Sequence, residues 1–389
     1  MKKITVAIIG CGEFAEFQHF PNCMANSKVE IGAICDISLE RMAYISERFG
    51  LKQIFQTIDY IEIFKRPEID LVIAATNHDA HLQLIENAAR YGKHILIEKP
   101  MSMNHEESKQ IVRLVKASGI KLCVDYNRPL SPAMQDLKME LEEQRRNPRT
   151  SPWRSVRCST FTRMYEENAT NLVIAINDEI DSYRAVHLDP TKGGGLIIGE
   201  SCHFLDLSCW LIGRRPVRIF ATGSTRLNHS ILLDFEDGSI ANIFFSACGT
   251  FDYPKEHYEL TANGNLFLNK FFVETAIYGR GDVIKRHYPL QFDDLQEQDF
   301  ESGFQGYLAK RESAQMIAQE SGQVPLLMPD KGHRQLLNAY VQAILDDTPS
   351  PVDEMRGARA TYLSNLAIES IRTGLALPIR QEELEVFIK

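Results

Sequence analysis

Near its start the chain runs through a nearly unbroken apolar stretch, Ile4–Ile9, straight into Gly10-Cys11-Gly12-Glu13-Phe14-Ala15, and no other feature constrains its fold so strongly. A continuous apolar run is the mark of a strand buried on both faces of a parallel sheet. In the loop that follows, the first glycine permits a tight turn and the second lets backbone approach a pyrophosphate. The third position must be small for helix–strand packing, which Ala15 satisfies. The free N–H groups and positive dipole end of the next helix, expected over residues 13–26, then face the phosphates. Gly10, Gly12, Glu13, Phe14 and Ala15 are therefore the expected dinucleotide loop. A glycine pattern alone is weak; a strand before it and a helix after it supply the confirming context. Asp36 ends the second strand, expected over 29–36, where a carboxylate accepts hydrogen bonds from ribose hydroxyls and repels a 2′-phosphate. NAD is thus favoured over NADP. Arg41 tempers the preference only slightly, because its place on a helix more often faces solvent.

The alternation of strand and helix continues through residue 126, with strands at 71–76, 95–98 and 122–126 and helices at 39–49, 81–91 and 106–118. That period builds an α/β domain with a doubly wound parallel sheet, a Rossmann domain spanning 1–126. Past residue 127 the texture changes. A charged helical stretch (137–146) gives way to strand signals at 156–161 and 217–222. Two hairpins follow, 230–235 to 240–246 across Asp237-Gly238, and 257–262 to 266–272 across Asn263-Gly264. The second domain, 127–389, is expected to be α+β on a largely antiparallel open sheet. Its closing helices, at 332–345 and 353–373, are free to pack back on the first domain. Residues 280–330 show no clear period. A chain of 389 residues exceeds the size at which a single core stops growing, about 250–300 residues, so two domains are expected.

Composition narrows the function. A net charge of -9 argues against a nucleic-acid surface, and Arg145-Arg146 beside Glu142 and Glu143 reads as a solvated helix face. No stretch approaches the roughly 20 apolar residues of a membrane span, and Ile4–Ile9 is too short for a secretory h-region, so a cytoplasmic protein is expected. The 8 cysteines are scattered without Cys-x-x-Cys spacing, which points to reduced thiols and no metal site. The phosphate loop G-x-x-x-x-G-K-[ST], the H-E-x-x-H pair and the G-x-S-x-G elbow are absent.

Two stretches carry chemistry. In Ile97-Glu98-Lys99-Pro100, Lys99 stands at the carboxyl end of a parallel strand, where open α/β sheets place their ligand crevice. Pro100 restricts Lys99 to an extended conformation. A partly desolvated lysine shifts towards neutrality and can serve in proton transfer. The blander reading is a surface lysine at a strand end. His203 follows the run Gly193-Gly194-Gly195, early in a helix expected over 200–211. Glu200 and Asp206 lie three positions either side, so each can share its face and fix its tautomer. The competing reading packs His203 against Phe204 and Trp210 as a core residue.

These segments, in this order, resemble the Gfo/Idh/MocA oxidoreductases. Glu98-Lys99-Pro100 is similar to that family's E-K-P motif, and the stretch from Gly193 to Asp206 resembles its glycine run leading to D-x-G-x-H. Asp125-Tyr126-Asn127-Arg128 also fits, and the likeness is strongest through about Gly213. The resemblance implies an NAD(H)-dependent oxidoreductase that moves a hydride between nicotinamide and a carbinol carbon of a sugar, inositol or nucleotide sugar. It implies that His203 takes the hydroxyl proton while Lys99 hydrogen-bonds the reacting oxygen. The family's carboxylate, four residues before the histidine, falls here on Gly199. Glu200 is the candidate replacement, although one step along a helix turns a side chain by about 100°. Cofactor contacts are implied at Thr76, Asn77, His81, Glu98, Lys99 and Asn127. Substrate contacts are implied at Arg128, Tyr183 and Lys192, together with Lys99, Glu200 and His203. A homodimer or tetramer is implied as well. Two rival readings keep the fold: a redox-neutral NAD enzyme (an epimerase or glycoside-cleaving enzyme), and a non-catalytic dinucleotide-binding regulator.

Overall fold

Six strands lie parallel in the order β3-β2-β1-β4-β5-β6: β1 (Ile4–Ile9), β2 (Val29–Cys35), β3 (Phe55–Thr57), β4 (Leu71–Ala74), β5 (His94–Ile97) and β6 (Leu122–Val124). The order reverses between β1 and β4, the switch point at which such sheets bind ligands. Ile9 pairs with Ala74 and Cys35, Ala74 with Ile97, and Ile97 with Val124, so every strand ends at one edge. Gly10, Asp36, Lys99 and Asp125 all follow directly from that edge. The apolar runs explain the burial: Val6, Ala7, Ile8 and all of β4 are inaccessible, covered on both faces. The computed structural model describes residues 3–146, 169–292, 303–321 and 327–385. The strand expected at 156–161 lies outside the described residues.

Nine strands form the second sheet, in the order β14-β13-β12-β11-β7-β10-β9-β8-β17. They are β7 (Thr170–Asn177), β8 (Pro216–Gly223), β9 (His229–Phe235), β10 (Ile240–Ser246), β11 (Glu256–Ala262), β12 (Asn265–Lys270), β13 (Glu274–Tyr278), β14 (Ile284–His287) and β17 (Leu377–Pro378). Both expected hairpins form, β9–β10 across Asp237-Gly238 and β11–β12 across Asn263-Gly264. The sheet is antiparallel except where β7 pairs in parallel with β10. The sequence reading missed β7, the strand between β11 and β10. In β7 the residues Leu172, Ile174 and Ile176 are buried while Asn171 and Val173 are exposed, the alternation of a sheet covered on one face. Within 280–330 lie β14, a short pair of strands, β15 (Leu290–Phe292) with β16 (Leu327–Pro329), and a helix at Gly303–Ser321.

The closing helices join the two sheets. His333–Leu345 places Leu336, Leu337, Tyr340 and Val341 in the core of the parallel sheet. The Tyr340 hydroxyl donates to the carbonyls of Ile95 (3.0 Å) and Lys121 (2.6 Å). Glu354–Thr373 contributes Ala358 and Ala360 to that core but Leu363 and Ala367 to the core beneath the nine-stranded sheet. Large apolar side chains buried this way each add about 1.5–3 kcal/mol, so this helix fastens one half to the other. Among the described residues no helix is long and apolar enough to cross a membrane.

Candidate functional site

The glycine loop is shaped by close approach. Gly10 has φ +93°, and a Cβ there would lie 2.2 Å from the Ala75 carbonyl oxygen. Gly12 differs: a Cβ on it would meet nothing within 4 Å. Protein packing therefore does not require a glycine at position 12; a group approaching the backbone from outside would. The Asp36 carboxylate accepts from Cys11 N (2.7 Å) and Ser38 N (2.8 Å), so the loop itself orients it and leaves lone pairs for hydroxyl donors. Arg41 is not a solvated side chain. Its Nε donates to the Cys11 carbonyl (2.5 Å) and its guanidinium pairs with Glu16, which Arg48 also approaches at 3.0 Å, so its side chain is held in place. Ala15 is fully buried and opens a π-helical turn, Ala15–His19, inside the expected helix. Glu13 is exposed and pairs with Arg184 at 3.1 Å. Phe14, also exposed, sets its ring against His19 and His333. The loop and Asp36 thus fit a dinucleotide.

Lys99 reaches from the parallel sheet to the other half of the chain. Its Nζ donates to the Gly199 carbonyl and to Glu200 Oε1, both at 2.6 Å. The expected drift of Lys99 towards neutrality does not occur. Burial pushes that way, but Glu200, Cys202 and Glu98 outweigh it and hold the ammonium above its usual range. Burial likewise works to raise Glu200, yet Lys99, Lys255 and Arg128 keep its carboxyl below the ordinary value. Glu200 lies in a second π-helical turn, Ile197–Ser201, ahead of the helix Cys202–Ile212. The helix expected from residue 200 therefore begins two residues later. A Cβ on Gly199 would meet His78 Cε1 at 3.3 Å, and the His78 Nδ1 is 2.9 Å from the Gly193 carbonyl. The imidazole occupies the space that a side chain at 199 would need.

His203 is buried, with the Tyr126 ring edge-on at 5.6 Å and Nδ1 without a hydrogen-bond partner. Burial first, then Arg128, Lys99, His333 and Lys331, depress it well below the usual imidazole range, so the ring is neutral. Asp206 does not orient it, contrary to the reading from spacing. That carboxylate is bonded to Arg356 (Nε–Oδ1 3.0 Å) and lies 3.5 Å from Arg359. Helical spacing placed the two side chains near each other but could not show which cations would claim the acid.

The remaining expected residues separate into those at the crevice and those bound up in structure. Tyr183 donates to Asp178, which also pairs with Lys255 at 2.8 Å; burial and the charge of Glu200 raise the phenol. Arg128 is buried against Glu256. Asn127 is fully buried, its amide within 2.9 Å of the Lys331 carbonyl and 3.0 Å of His333 Nε2. His81 is fully buried, with Nδ1 2.7 Å from the Pro100 carbonyl and Nε2 3.4 Å from that of Thr76; burial lowers it to about 4. Asn77 is exposed beside the half-buried Thr76 at the end of β4, and Lys192 is exposed in the turn before the glycine run. The Lys99–Pro100 peptide is cis.

Several side chains at the crevice gave no sequence signal. His19 is 2.8 Å from Glu98, and His333 is 3.1 Å from Asp125. His19, Glu98 and Asp125 place their ligand atoms within 4.8 Å of one another, a grouping that no spacing along the chain marks. Glu256 and Lys331 were also missed, as no motif joins residues so far apart to Arg128.

A nucleotide loop at the switch point, facing a lysine–carboxylate pair and a neutral histidine from the other half, defines a dinucleotide-dependent oxidoreductase. Family models agree. The "oxidoreductase family, NAD-binding Rossmann fold" model matches residues 4–126, and the "GFO/IDH/MocA C-terminal domain" model matches residues 171–265, together over half of the chain. The chain belongs to the Gfo/Idh/MocA oxidoreductase family and carries its NAD-binding domain. It is 26% identical over 302 residues to the uncharacterised oxidoreductase YrbE of Bacillus subtilis, covering 75% of this chain and 81% of that protein. It is 20% identical over 283 residues to a myo-inositol 2-dehydrogenase of Thermotoga maritima, covering 70% and 77%. A crystal structure of an oxidoreductase from Agrobacterium radiobacter with NAD+, L-tartaric acid and magnesium shares the fold, with TM-score 0.74 at 16% identity over 97% of this chain and 98% of that one.

Proposed function

We propose that this chain is an NAD-dependent dehydrogenase that oxidises a secondary alcohol of a sugar-like substrate, a class that spans sugars, inositols and nucleotide sugars. The observation that carries this reading is the Lys99–Glu200 bond, beyond the strand ends from which Gly10 and Asp36 emerge, with buried His203 near enough to feel the Lys99 charge. Bound NAD would accept the hydride at its nicotinamide ring, the carbinol carbon losing two electrons and the hydroxyl losing its proton. His203 receives that proton, because its neutral ring keeps a basic lone pair. Lys99 donates a hydrogen bond to the reacting oxygen and steadies the negative charge that develops there. Glu200 and the Gly199 carbonyl aim the ammonium. NAD is preferred to NADP because Asp36 faces the ribose position while Arg41, the nearby cation, is engaged by Glu16. Self-association is supported by the open face of the nine-stranded sheet, where Val173 and Phe244 stand exposed on adjacent, paired strands.

The test is a panel of sugars, inositols and nucleotide sugars incubated with NAD, following NADH formation by wild type and Lys99→Ala. The variant is expected to lose about 100-fold or more in kcat. Equal turnover would overturn the assignment. The wild-type rate should also run level through pH 6.5, the ordinary imidazole value, since His203 is depressed below it and Lys99 is held above 10.5. An acid limb centred at 6.5 would contradict the neutral histidine.

A further inference from the structure

One carboxylate at the crevice answers two buried cations. Glu256, fully buried at the start of β11, accepts two bonds from Arg128, Nε to Oε2 and Nη2 to Oε1, each 2.8 Å. Lys331 Nζ donates to the same Oε1 at 2.6 Å, and the Tyr258 hydroxyl closes the group. Two other lysine–carboxylate pairs beside it match one acid to one base, Lys99 with Glu200 and Lys255 with Asp178. Burial lowers the Lys331 ammonium to about 8, so at neutral pH the Arg128–Glu256–Lys331 group keeps one surplus positive charge, although its side chains are only 7%, 0% and 10% exposed. A buried charge is costly unless an opposite charge joins it. Among the described residues no further carboxylate does so; Glu200, which also feels the Arg128 charge, is already bonded to Lys99.

Donors remain for an incoming anion. Arg128 Nη1 makes only a long contact of 3.5 Å to Asn127 Oδ1, and the Lys331 ammonium has three N–H groups of which one meets Glu256. Next to them, His203 carries its unpartnered Nδ1, on the residue adjoining Phe204, whose ring lies 4.9 Å beneath the Arg128 guanidinium. The positive field acts on His203 too, since Arg128, Lys99 and Lys331 are among the charges that depress its ring.

We infer that the substrate is a polyol bearing a carboxylate, a sugar acid of the aldonic or uronic type, whose carboxylate rests on Arg128 and Lys331 while its carbinol lies between Lys99 and His203. This rests on the reading of Lys99 and His203 given above. One surplus charge matches a monoanion. A phosphate dianion exceeds it, and a neutral sugar leaves it unanswered.

The test separates binding from turnover. Calorimetry on the full-length protein saturated with NADH measures the affinity of D-gluconate, D-glucuronate, D-glucose, myo-inositol and glucose 6-phosphate. Either sugar acid is expected to bind at least about tenfold tighter than glucose or inositol, the effect of one charge-assisted contact. Lys331→Met should bring the acid down to the affinity of glucose. Lys331→Arg should retain the preference, and its retention guards against a mere packing defect in the methionine variant. Removing Lys331 leaves Arg128 and Glu256 matched one to one, so the fold is expected to persist, as circular dichroism would show. Tighter binding of neutral polyols, or of glucose 6-phosphate over both acids, would overturn the inference. If the acids bind preferentially but yield no NADH when presented with NAD, the dehydrogenase reading fails while the anion site stands.

Discussion

The two sheets of this chain solve the burial problem in opposite ways. The six parallel strands are covered on both faces, so residues of either parity along β1 and β4 are apolar. The nine-stranded sheet buries one face and leaves residues such as Val173, Phe220 and Phe244 on the other. The difference shows where chemistry can reside. In the parallel sheet it is confined to the strand ends, because the central strands β1 and β4 are buried along almost their whole length. The open sheet contributes through residues at its margins, such as Glu256 at the start of β11, and through the helix that follows the glycine run. A crevice forms where the ends of one sheet meet the margin of the other, and the closing helices hold that meeting in place.

The clamp between the halves offers the most forceful way to break this contrast. Asp206, fully buried on the helix that carries His203, is bonded to Arg356 on the helix shared by both cores. Arg356→Met should cost about 3 kcal/mol in denaturant unfolding, the low end for a broken buried pair because Arg359 remains within 3.5 Å. A cost below about 0.5 kcal/mol would mean that apolar packing alone fastens the halves.

The glycine loop separates fold from ligand. Gly12→Val adds a side chain into space that no protein atom occupies. Its Tm should stay near that of wild type while NAD affinity, read by fluorescence titration, falls on the order of 100-fold, about 2.7 kcal/mol. An unchanged affinity would show that the nucleotide does not pass over Gly12. Phe244→Glu sharpens the other side of the comparison. A charge on the open face of the second sheet should shift the protein towards monomer in analytical ultracentrifugation, with little change in unfolding free energy. If the sedimentation coefficient does not move, that face does not mediate association.

Legibility followed the same division. The dinucleotide loop, Asp36 and Lys99 could be read because strand, turn and helix follow one another locally, and each position has a role set by its immediate neighbours. The hairpins at Asp237-Gly238 and Asn263-Gly264 were legible for the same reason. β7 was missed because it pairs with strands far along the chain, in parallel on one side and antiparallel on the other. The partner of Asp206 was missed because helical spacing says which side chains lie near, not which charges compete for them.

From its sequence alone this chain determined a Rossmann half with its nucleotide loop, an open-sheet half, and two candidate chemical groups, Lys99 and His203. Those features depend on local periodicity, glycine geometry and residue order, all of which are written in contiguous stretches. Only the tertiary structure decided that Lys99 stays charged, that Glu200 rather than a side chain at 199 meets it, and that Arg128 and Lys331 share one carboxylate. Protonation and charge balance depend on burial and on distances between residues remote in the chain, and these exist only once the chain has folded.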